Sequence, residues 1–108
     1  MTVDEKIWRS LGDLNCPCFR IGFKYLSEAI MICYLDENAI YNLKVNVYTK
    51  IAEKFGAHPK TVESNIRSVI SRCKEKELEV MSGKKLDGKP TPKTVISIVV
   101  SHLNTCED

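Results

Sequence analysis

The side chains best placed to do chemistry together are Lys50, Lys54, Lys60, Thr61, Glu63, Ser64, Arg67 and Ser68. On one helix, positions 60, 61, 63, 64, 67 and 68 fall opposite an apolar stripe of Val62, Ile66, Val69, Ile70 and Cys73. Such a face offers hydrogen bonds to nucleic-acid edges. An arginine at 67 suits guanine O6 and N7, and a carboxylate at 63 can accept from a cytosine amino group. Thr61 and Ser64 suit bases or phosphate, and Lys50, Lys54 and Lys60 suit phosphates.

These residues need two helices to hold them, and residues 47–73 read as helix, turn, helix. Ile51 and Phe55 at i and i+4 give the first helix a buried face, and Ala52 is small enough for a close crossing. Gly56 falls where that helix must stop, a position that favours left-handed backbone angles. Ala57 and His58 complete the turn, and Pro59 suits the first turn of the next helix. In this motif the second helix, about 59–73, enters the major groove with its N-terminal half against base edges.

The remaining chain supplies supports. Ile7, Leu11 and Leu14 mark a first helix from 4 to 14, with Asp4 as its expected cap, broken by Asn15-Cys16-Pro17. Gly22 is expected to precede a central helix with Leu26, Ala29, Ile30, Cys33 and Tyr34 on its apolar stripe. Residues 36–38 turn the chain, and 39–48 are read as a loop or short helix despite the strand propensity of Val45, Val47 and Tyr48. Residues 84–92 form a Lys, Gly and Pro-rich loop, then Thr91 caps a last helix whose apolar side is expected from Val95, Ile96, Ile98, Val99, Val100 and Leu103. The β-branched run 95–100 fits a strand equally well by propensity, but no other strand is evident to pair with it. The expected fold is therefore all-α: one domain over 1–108, a compact bundle of about five to six helices containing the helix-turn-helix.

Net charge is only +2, but it is unevenly spread. Residues 44–76 hold eight Lys/Arg against three Glu, a local balance of +5, while the flanking segments are slightly acidic. No nucleophile–base pair and no phosphate-cradling glycine loop is present, so an enzyme is not expected. The five cysteines are odd in number and lack the spacing of a zinc site, and His58 and His102 stand alone in the sequence. Free thiols, no metal and no cofactor are expected, with His58 serving the turn. The first ten residues carry Asp4, Glu5, Lys6 and Arg9, unlike a signal peptide, and no apolar run is long enough for a membrane span. The expected location is the cytoplasm.

The chain also resembles the C-terminal DNA-binding effector domains of the response regulators that govern endospore formation. The resemblance runs through Pro17, Gly22, Tyr25-Leu26, Glu28-Ala29-Ile30 and Tyr34. It continues with Ile51-Ala52, Lys54-Phe55, Val62-Glu63, Ile66-Arg67, Ile70 and Lys89-Pro90-Thr91. It implies a helical bundle of about six helices, double-stranded DNA as partner, a role in transcription control, and two copies in tandem on their site. Glu63 and Arg67 match contact positions in identity, whereas Thr61, Ser64 and Ser68 stand where the family carries larger basic or imidazole groups. The family domain normally follows a phosphoreceiver domain, for which a chain beginning at Met1 has no room; a stand-alone paralogue or an excised fragment is expected. The resemblance further implies RNA polymerase sigma factor as a partner, through a helix in the stretch between Val62 and Lys89, here about seven residues shorter.

The small residues at 61, 64 and 68 keep a second reading in play: a protein-interaction module that pairs with or antagonises a full-length regulator and binds DNA weakly. Selection of a DNA motif separates the two.

Overall fold

The computed structural model describes residues 1–105. Among them are six α-helices and no strand: α1 (Val3–Asp13), α2 (Ile21–Leu35), α3 (Thr49–Phe55), α4 (Pro59–Ile70), α5 (Glu75–Ser82) and α6 (Pro92–Thr105). The all-α bundle is as the sequence implies. Cys106 lies outside the described residues.

Helix α1 starts at Val3, and its cap lies two residues before the expected one. Its cap is Thr2, not Asp4: the Thr2 hydroxyl accepts from the Glu5 amide at 3.1 Å, and the Glu5 carboxylate accepts from the Thr2 amide at 2.9 Å. This reciprocal box satisfies two amides that a helix start leaves without partners. The Thr2 amide, and the Thr2 hydroxyl that donates to the same carboxylate oxygen at 3.1 Å, hold the Glu5 carboxyl below its usual range. At the other end Asn15 adopts φ 61°, with the Cys16 amide donating to Leu11 O and the Asn15 amide to Gly12 O. That is a Schellman closure with asparagine in the left-handed position.

Helix α2 is the centre of the bundle and packs against α1, α4 and α6. Leu26, Ala29 and Ile30 are fully buried, as their spacing predicts. Gly22 lies inside α2 rather than before it, and it is buried. A Cβ there would sit 2.5 Å from Val69 Cγ2 and against the Asn65 carbonyl, so the glycine lets the backbones of α2 and α4 approach closely.

Between α2 and α3 the chain coils tightly throughout. A 3-10 turn spans Glu37–Asn42 and a π-helical turn spans Lys44–Tyr48. The Thr49 hydroxyl and amide both donate to Lys44 O, which accommodates the wider turn. Val47 and Tyr48 are buried while Val45 is exposed. Tertiary packing overrides their strand propensity because no partner strand exists among the described residues.

Helix α4 ends at Ile70, and residues 71–73 form a tight turn rather than a last helical turn. Cys73 is disulfide-bonded to Cys16, Cα to Cα 4.9 Å, and the Lys74 amide donates to Leu14 O at 3.0 Å. The free-thiol expectation is thus wrong for this pair, while Cys18 and Cys33 are free. The cysteine count could not reveal it, since the two sulfurs are brought together only when the end of α4 meets the chain leaving α1. Burial, reinforced by the Asp36 carboxylate, pushes the Cys33 thiol up to about 11.

Helix α6 is helical through its β-branched run and buries Val95, Ile96, Val99 and Leu103. Thr91 caps it, its hydroxyl accepting from the Thr94 amide at 3.2 Å. Helix α5 rests on α6 through buried Leu78 and stops at Gly83, φ 75°.

Candidate nucleic-acid interface

Helices α3 and α4 and the turn between them set the geometry of the site. Gly56 takes φ 65° and ψ 36° and ends α3. A residue with a side chain would adopt this conformation only with strain. His58 does more than occupy the turn: its Nδ1 accepts from the Lys60 amide at 3.1 Å and caps α4, with Pro59 in the first turn. The cap role escaped the sequence because histidine is an uncommon residue at that position. Phe55 packs on Tyr25 with ring centroids 5.6 Å apart, anchoring α3 to α2.

Helix α4 buries Val62, Ile66, Val69 and Ile70. Its opposite face carries Lys60, Thr61, Ser64 and Arg67, all exposed, with Glu63 and Ser68 half-buried beside them. Six of the eight expected site residues therefore share one helix. Lys50 is exposed at the start of α3. Lys54 is placed differently: its ammonium pairs with Glu28 of α2 at 2.9 Å and sits 5.5 Å from the Phe55 ring centroid. A phosphate would have to compete with Glu28 for it.

Arg67 and Glu63 form an ion pair one turn apart. Glu63 Oε2 accepts from Arg67 Nε at 3.1 Å, and Nη2 lies 3.0 Å from the same oxygen in the ion pair. Buried Tyr48 lies beneath this pair, its hydroxyl pushed up to about 12 by burial and then by the Glu63 carboxylate. It is a neutral phenol at any physiological pH.

Arg67 stands on the rim shared by two grooves of about 290 and 300 Å³. The segment that leads into α6 lines both. Lys89 reaches the first groove, and Lys44 and Lys93 the second. All three lysines are exposed. Sequence reasoning did not place them at the site, because Lys44 comes from the π-helical turn before α3, Lys89 from the loop before α6 and Lys93 from the first turn of α6. The signals were the basic balance of 44–76 for Lys44 and the Lys-rich composition of 84–93 for Lys89 and Lys93. The cationic surface thus extends beyond α4 on the side of Arg67.

Among the described residues no group of three or more His, Cys, Asp or Glu converges to hold a metal ion. No described helix is long and apolar enough to cross a membrane.

A helix-turn-helix with an exposed Lys, Thr, Ser and Arg row on its second helix defines the class of DNA-binding domains. The chain matches the family described as sporulation initiation factor Spo0A C terminal over residues 7–103, and it belongs to that family. This is a family of DNA-binding response-regulator effector domains in the control of sporulation transcription, not of enzymes. The match runs from Ile7 in α1 to Leu103 in α6, so it takes in every element that supports the site.

Proposed function

We propose that this chain is a sequence-specific regulator that lays α4 in the major groove of duplex DNA. The observation that carries the reading is the single outward row of α4, with Arg67 in its last turn and lysines on both sides. Arg67 reads guanine, Glu63 faces the same edge, and Thr61, Ser64 and Ser68 bond to bases or phosphate as their reach permits. Lys50 and Lys60 contact phosphates, joined by Lys44, Lys89 and Lys93; Lys54 joins them if it leaves Glu28. Residues 1–108 act as one domain in the cytoplasm, with two copies in tandem on the site. Sigma factor is the further partner, with the eight-residue α5 and its first-turn Glu75 and Glu77 as the surface offered.

The small side chains of Thr61, Ser64 and Ser68 favour a second reading, a protein-interaction module that retains the fold and binds DNA weakly. The test is to titrate the protein against a random pool of short duplexes, select the bound fraction and sequence it. Enrichment of one short motif supports the regulator. Absence of a motif, with weak binding abolished by modest salt, supports the interaction module.

A further inference from the structure

We infer that Glu63 is a positioning residue for Arg67: it holds the side edge of the guanidinium so that the end edge faces the DNA. The inference rests on the reading of Arg67 as the guanine contact. A guanidinium has two hydrogen-bonding edges, Nε with Nη2 along the side and Nη1 with Nη2 at the end. Glu63 Oε2 accepts from Nε at 3.1 Å and lies 3.0 Å from Nη2 in the ion pair, so the carboxylate sits against the side edge. The end edge is left, and it matches guanine O6 and N7. The pair is one helical turn apart on α4, so forming it requires no change in backbone.

The setting favours a held rather than a floppy arginine. Glu63 is the less exposed partner, at 39% against 58% for Arg67. The wall behind the pair is the buried ring of Tyr48. On the far side, Arg67 borders two grooves whose other wall is the segment around Thr91 and Pro92. The neighbouring outward positions are short, Ser64 and Ser68, and supply no second long side chain to share the base. Glu63 accordingly contributes to specificity through Arg67 and at the same base pair, not through a cytosine of its own.

Two measurements test this. The first is the ¹⁵N–¹H signal of Arg67 Nε in the free protein, for wild type, Glu63→Gln and Glu63→Ala. The expected result is a slowed solvent exchange in wild type, lost in Glu63→Ala and largely kept in Glu63→Gln, whose amide oxygen still accepts. An unprotected wild-type signal overturns the inference whatever the DNA data show. The second is a double-mutant cycle on the selected motif, with Glu63→Ala, Arg67→Ala and the double variant against duplexes altered at each base pair. Both single variants should lose roughly 5- to 150-fold discrimination at the same base pair. Glu63→Ala should add nothing once Arg67 is gone, and Glu63→Gln should restore most of the discrimination. Losses at two different base pairs that multiply would mean Glu63 reads a base directly, and the positioning role fails while the DNA function stands. If selection yields no motif, the guanine reading fails and the positioning role fails with it.

Discussion

Gly22→Ala tests how α4 is held. The added Cβ would meet Val69 Cγ2 at 2.5 Å and lie closer still to the carbonyl oxygen of Asn65. Ordinary contact begins near 3.4 Å, so the overlap is on the order of 1 Å. The Val69 methyl belongs to a fully buried side chain, and the Asn65 oxygen is backbone that cannot rotate away. Helices α2 and α4 must therefore separate, at about 3 kcal/mol, the upper part of the overpacking range. Alanine returns about 1 kcal/mol as the better helix former. The net loss of about 2 kcal/mol should lower Tm by roughly 10 °C for a chain of this size. Gly12→Ala is the control: it is also helical, with nothing within 4 Å of its Cβ, and should gain about 0.5–1 kcal/mol. Thermal melting by circular dichroism reads both. If Gly22→Ala melts at or above wild type while Gly12→Ala gains, α2 and α4 do not meet at that distance and the support proposed for the site is wrong.

Lys60→Ala should weaken all duplexes nearly equally and reduce the slope of log affinity against log salt by about 1, as measured by fluorescence anisotropy. Cys73→Ser opens a link spanning a sequence separation of 57 and should cost up to about 4 kcal/mol by chemical denaturation, with the helical content kept. The Tyr48 phenol should give an alkaline limb. Below its usual value near 10 both states are protonated, whereas between 10 and about 12 only the folded state keeps the proton, so stability falls with rising pH. That limb, worth about 2–3 kcal/mol, should be missing in Tyr48→Phe.

The sequence made the reading helix legible because its signals are local. Gly56 ends α3 in the left-handed region, Pro59 opens α4, and the spacing of Val62, Ile66, Val69 and Ile70 assigns the buried face. Six of the site residues then fall on the other face by periodicity alone. What stayed hidden depends on partners far along the chain. Gly22 looks like a helix-breaking residue until α4 is packed against it, and Cys16 and Cys73 look like two of five thiols until the end of α4 meets the chain after α1. Lys54 appeared available until α2 placed Glu28 beside it. The same holds for Lys89 and Lys93, which reach the site only through the segment entering α6. The end of α4 was overrun because Cys73 continues the apolar period although residues 71–73 turn.

The most direct test of the major-groove reading replaces each guanine of the selected duplex, in turn, by 7-deazaguanine, which removes only the N7 acceptor. At one guanine wild type should lose about fivefold or more in affinity, and Arg67→Ala, already weakened, should lose nothing further. Contradiction would come from duplexes in which no deaza substitution matters while inosine, which lacks the minor-groove amino group, does.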